Sequence, residues 1–169
     1  QGTRFVKTMD KYVSNILPMN DAFYFVTPSK LWRSDGTTAG TQPILEGKEI
    51  REIVATTDEL FLSIYSGTST DLWTSDGTGS GTSFLKTVNP FSDVITEGGT
   101  SRFSPSLTIV GDHIFLIGYQ EQTGYELWVS DGTTNGTGLV KDVSSGSAVE
   151  IPYAGMWSFN NMLVFVVDD

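Results

Sequence analysis

The chain has no cysteine, a single histidine, and half as many basic as acidic side chains, ten Lys+Arg against twenty Asp+Glu. The first absence excludes disulfide frameworks, thiol nucleophiles and cysteine metal sites. The shortage of positive charge, a formal net charge of −10, argues against nucleic acid and against an anionic membrane surface as partners. Long apolar runs are missing too. The longest, Ile114 to Ile117 and Met162 to Val167, fall far short of a membrane span, and the opening QGTRFVKTMD has no signal-peptide core, so any export signal is expected outside these residues. The Gly-x-Ser-x-Gly, His-Glu-x-x-His and Gly-x-x-x-x-Gly-Lys motifs do not occur.

What is present is turn-forming and strand-forming material. Eighteen Gly, ten Phe, six Tyr and four Trp, with abundant Ser and Thr, favour strands joined by tight turns. At 169 residues the chain can bury about 70% of its unfolded surface in one domain without a staple.

Three near-copies organise the sequence: LWRSDGTTAGT from Leu31, LWTSDGTGSGT from Leu72 and LWVSDGTTNGT from Leu127. Around them each unit keeps one order. After Gly-Thr comes a short strand (RFVKTM from Arg4, QPILEG from Gln42, SFLKTV from Ser83, GLVKDV from Gly138). An apolar hairpin follows, with its turn at Asn20-Asp21, Thr57-Asp58, Gly111-Asp112 or Asn160-Asn161, residue types that suit two-residue loops. The Leu-Trp strand comes last and ends in Ser-Asp-Gly-Thr.

Four short strands per unit of about 40 residues predict an all-β fold, a β-propeller segment of four-stranded antiparallel blades. Taking the Ser-Asp-Gly-Thr turn as the outer hairpin gives three complete blades, near 14–46, 50–88 and 105–143. It also gives an incomplete fourth over 155–169 and a lone outer strand over 4–9. Since a blade needs neighbours on both faces, the chain is expected to belong to a longer ring or a larger assembly. A half of a seven- or eight-bladed ring is preferred over a four-bladed ring completed by a further Leu-Trp strand. Alone, it should self-associate.

The repeated Asp-Gly pairs, Asp35-Gly36, Asp76-Gly77 and Asp131-Gly132, are assigned to turn formation. The carboxylate accepts backbone N–H bonds of its own turn while Gly takes positive φ. The second Gly of each copy, at 40, 81 and 136, is expected to re-enter the strand through a bulge. Calcium coordination by these Asp is the rival, and one carboxylate per turn falls short of the six to eight oxygens that calcium takes. No cofactor and no metal site is expected.

These copies resemble the ELWxxDGT repeats of large secreted or cell-surface bacterial proteins, which are common in Bacteroidetes and often exported by the type IX system. The resemblance spans nearly the whole chain. Only the third copy has Glu126 before Leu-Trp; the other two have Lys30 and Asp71 there. The turn is also similar to the Asp-box hairpin of sialidase propellers, without its Ser-x-Asp-x-Gly-x-x-Trp order. The resemblance implies an extracellular, outer-membrane-associated location and no catalytic residues.

Among other side chains, Trp32, Trp73 and Trp128 share one phase of the repeat and are read as structural aromatics. Trp157 is out of phase with them and is the better ligand candidate. His113 follows a hairpin turn and is read as solvent-exposed. Lys7, Lys86 and Lys141 recur at one position, where the second unit has Leu45, and are read as solvated. The units differ most in the crossovers Asn89 to Ser106 and Ser144 to Gly155, so Phe91, Arg102, Phe103, Tyr153 and Trp157 form the candidate binding-loop set. The expected function is a non-catalytic binding or scaffold module with a role in adhesion, gliding or protein interaction, its partner a protein or a glycan. The alternatives are a glycan-active propeller enzyme, for which the predicted inner strands offer only Glu52, and a subunit of a larger complex.

Overall fold

The computed structural model of the chain describes residues 3–9, 11–90, 94–96, 99–101, 106–141 and 153–167. They form strands and turns with no helix. Three four-stranded antiparallel sheets are simple meanders: β1(Ser14–Met19) to β4(Gln42–Glu46) through β2(Ala22–Thr27) and β3(Lys30–Ser34), then β5(Glu49–Ala55), β6(Leu60–Tyr65), β7(Thr70–Ser75) and β8(Thr82–Asn89). After a small hairpin, β9(Val94–Thr96) and β10(Gly99–Ser101), the third sheet runs β11(Thr108–Val110), β12(His113–Gln120), β13(Gly124–Ser130), β14(Gly138–Lys141). A final hairpin pairs β15(Tyr153–Phe159) with β16(Met162–Val167).

The sheet limits follow the sequence units closely, and the departures have local causes. Residues 3–9 are held to the first sheet by side chains but adopt no strand, which corrects the expected lone strand over 4–9. Among the described residues no strand pairs with them. The β9–β10 hairpin sits inside a segment expected to be a plain crossover. Three of the inner turns are two-residue loops, with Asn20, Gly111 and both Asn160 and Asn161 at positive φ. The turn at Thr57-Asp58 is longer, closing Ala55 on Leu60 with Thr56 donating its N–H to the Glu59 carbonyl.

Sheets stack in chain order through their first strands: β1 touches β5, β5 touches β11, and β11 touches β15. Period-two alternation explains how. In the first sheet Ala22, Tyr24, Val26 and Leu31 face one way and pack with Leu60, Leu62 and Ile64 of the second sheet. Phe61 and Leu72, on the second sheet's opposite face, pack with Ile114, Leu116 and Trp128 of the third. Strand β6, apolar on both sides, is thereby buried on both sides. In β16, which has a similar pattern, Met162, Val164 and Val166 are exposed, with no further sheet against them among the described residues.

Candidate functional site

The three Ser-Asp-Gly-Thr turns have the same internal wiring, and it accounts for every constant residue of the eight. Asp35 Oδ1 accepts from the Thr37 N–H at 2.8 Å and from the Thr37 hydroxyl at 2.7 Å, and that hydroxyl in turn accepts from the Gly40 N–H at 2.9 Å. Asp76 with Thr78 and Gly81, and Asp131 with Thr133 and Gly136, repeat the set. A second relay runs beneath it. The Gly36 N–H donates to Ser34 Oγ, Ser34 and Thr41 share a hydroxyl bond of 2.7 Å, and the Thr41 hydroxyl donates to the Thr37 carbonyl at 2.6 Å. Ser75, Gly77, Thr78 and Thr82 repeat it, as do Ser130, Gly132, Thr133 and Thr137. The two positions that vary between copies, Thr38-Ala39, Gly79-Ser80 and Thr134-Asn135, are the two outside both relays.

The two glycines of each turn are required for different reasons. Gly36, Gly77 and Gly132 have φ of 82°, 90° and 86°, the left-handed region closed to most side chains. Gly40, Gly81 and Gly136 have no such φ, and they do not sit at the bulge expected of them. A Cβ on Gly81 would lie 2.1 Å from Asp76 Oδ1, and the other two copies are alike. The carboxylate therefore rests on the bare Cα of the second glycine. The bulge comes later, at Ile44, Leu85 and Val140, where the register slips opposite each Leu-Trp pair.

The electrostatics follow from this wiring. The Thr37 hydroxyl and then the Thr37 N–H stabilise the ionised form of Asp35 and hold its carboxyl below the usual carboxylate range; Thr78 and Thr133 do the same for Asp76 and Asp131. His113, exposed at the start of β12, adds a small attraction for Asp131.

The bulge at Leu85 also explains Lys86, which corrects the solvated reading there, while Lys7 is exposed and the side chain of Lys141 lies outside the described residues. With Leu85 unpaired, Leu85 and Lys86 both reach the third sheet: Leu85 joins the core there, and Lys86 Nζ donates to the Thr137 carbonyl at 3.1 Å and lies 4.9 Å from the centre of the Trp128 ring. Lys7 makes the matching pair of contacts with the Thr41 carbonyl, at 2.9 Å, and the Trp32 ring. In the second unit Leu45 replaces the lysine and Lys48 covers Trp73 instead. Each Trp of the repeat is thus capped by a cation from the preceding segment. Trp128 is buried across Gly118, Trp32 stacks on Phe25 at 6.0 Å, and Trp73 meets Phe84 edge-on.

The candidate binding loops are only partly described. Phe91, Arg102 and Phe103 lie outside the described residues, and Tyr153 is placed by its backbone alone, at the start of β15. Trp157 lies on β15, folded over Gly155 and exposed. Its companions on that face are Phe159, Met162, Val164 and Val166, not polar groups. Glu52, the carboxylate read from the predicted inner strands, accepts the Leu107 N–H at 3.3 Å, and β5 also carries Glu49, which accepts from Arg51 at 3.0 Å. Glu126 is wholly buried opposite Gly118. Among the described residues no three His, Cys, Asp or Glu gather as a metal site would require. The lysine caps went unseen in the sequence because the contact joins residues 51 apart; the recurrence of Lys at one phase was the available sign.

No protein-family model matches the chain, and no curated protein does. Among solved structures, the crystal structure of the computationally designed Ika4 protein is similar over 99% of this chain and 93% of that one, with a TM-score of 0.56 at 10% identity. At that identity the likeness concerns the course of the backbone alone.

Proposed function

We propose that the chain is a β-propeller segment of the ELWxxDGT type that works without catalysis, as a rigid binding or spacer module of an extracellular bacterial surface protein. The observation that carries this is the use made of the repeated polar groups. Asp35, Asp76 and Asp131, the groups most suggestive of chemistry, accept bonds from their own turns, and the serines and threonines around them close the same relays. Sheets that stack face to face through consecutive first strands support the propeller reading. Adhesion, gliding or another protein interaction is the role such a module would serve, at the outer-membrane surface, with a protein or glycan partner.

A panel of glycans supplies the test. We expect no turnover. Hydrolysis that a single substitution such as Glu52→Gln abolishes would overturn this in favour of a glycan-active enzyme. Added calcium should leave the melting midpoint unchanged; a rise in wild type that Asp76→Ala lacks would make the turn a metal site.

A further inference from the structure

A cleft of about 520 Å³ opens between the first two sheets. One wall is Pro28 and Ser29, in the turn between β2 and β3; the other is Lys48, Glu49 and Ile50, where the chain crosses from β4 to β5. Tyr12, which is exposed, lines it as well. Both walls are connections between described strands, not an unpartnered sheet face. The volume lies in the range of about 300–1,000 Å³ that suits small ligands.

The second unit departs from the repeat at this place. Lys7 and Lys86 each divide their ammonium between a Trp ring and a turn carbonyl. In the second unit Leu45 takes the place of that lysine, and Lys48 lies 4.9 Å from the centre of the Trp73 ring instead. Among the described residues Lys48 has no hydrogen bond and no ion pair. An ammonium carries three donors. In the first and third units they help to hold the stack together; here they remain available at the wall of a cleft.

The remaining groups narrow the ligand class. Gly47 and Lys48 both direct their backbone N–H groups to the Ser29 carbonyl, at 2.9 and 3.4 Å, so that wall does not offer them to an extended peptide. Recognition falls to side chains: a hydroxyl, an ammonium, a carboxylate and an aromatic ring. The Arg51 guanidinium, bonded to Glu49 at 3.0 Å, holds the carboxylate in place. Adjacent charges of opposite sign deter a strongly charged ligand of either kind, and the net charge of −10 deters anions further. A neutral polyhydroxylated ligand fits, because each of its hydroxyls both donates and accepts. It can accept from Lys48 and donate to Glu49 while an apolar C–H face rests on Tyr12.

We propose that the cleft between the first two sheets binds a neutral saccharide through Tyr12, Ser29, Lys48 and Glu49. This rests on the reading of the chain as a non-catalytic binding module and gives that module a ligand class. It also moves sugar recognition away from Trp157, whose exposed companions are apolar.

An array of neutral cello-, malto-, xylo- and N-acetylchito-oligosaccharides, with sulfated and sialylated glycans beside them, supplies the test. We expect signal from the neutral glycans, measured afterwards by calorimetry with the oligosaccharide that binds best. Tyr12→Ala and Lys48→Met, which keeps the stem over Trp73, should each weaken that binding by about tenfold or more. Trp157→Ala should leave it unchanged. Ser29→Ala, at an exposed position, replaces either cleft variant that fails to fold by circular dichroism. An empty array, a preference for charged glycans, binding that survives the cleft variants, or binding that Trp157→Ala abolishes would each overturn the proposal. Failure of the functional reading looks different: turnover of a bound oligosaccharide would overturn the absence of catalysis and leave the cleft assigned, whereas neither binding nor turnover would remove the cleft alone.

Discussion

Asp76 and Gly81 are five residues apart and act as one group, because the carboxylate lies where a side chain on Gly81 would be. Replacing Gly81 by Ala forces Asp76 off its bonds to Thr78 and should destabilise the fold by about 1–3 kcal/mol. In an Asp76→Ala background the same change should cost much less. Urea titrations of the four proteins check this, and additive costs would refute the contact. The three turn carboxylates have folded pKa values lowered by their Thr partners. Groups of this sign contribute fully above their unfolded value of about 3.9 and lose that contribution as pH falls through the lowered folded value. Stability should therefore hold down to about pH 5 and fall below about pH 4. A triple Asp→Asn variant at 35, 76 and 131 should start less stable at neutral pH and fall less steeply in acid, as followed by thermal melts across that range. The role of the first glycine was readable from Asp-Gly alone, since the dipeptide has a known turn chemistry. That of the second was not, because an expected bulge and a carboxylate resting on the Cα both ask for glycine.

At the scale of single strands, turn residues and apolar runs located β1 to β8 and β11 to β16 within a few residues, as local signals can. The signals failed where the cause was not local. Residues 3–9, TRFVKTM, match the TSFLKTV of β8 closely, yet pairing requires a neighbour that composition does not reveal. The hairpin β9–β10 interrupts a stretch that reads as loop. The lysine caps depend on which sheet lies in front of which bulge. Lys86→Met should retain the packing of the stem while losing the ammonium over Trp128 and the bond to Thr137. We expect a loss of about 0.5–2 kcal/mol, with a shift in tryptophan emission. An unchanged midpoint and spectrum would show the lysine to be an idle surface group.

On the scale of the molecule, stability resides between sheets. Leu62, fully buried between the first and second sheets, should cost about 2–5 kcal/mol on change to Ala, read from chemical denaturation. A loss below 1 kcal/mol, the range of surface changes, would mean the stack is looser than described. The stack and the turns differ in the reach of their contacts. Within a turn no side-chain bond spans more than seven residues, whereas the sheets meet across tens. Local contacts form sooner than distant ones because little chain entropy is spent in closing them. Time therefore enters the architecture: each Leu-Trp strand, its turn and the strand after it can fold as a separate hairpin, and the apolar faces come together afterwards. Damage to one copy would leave its neighbours able to form, delaying only the step in which they are joined.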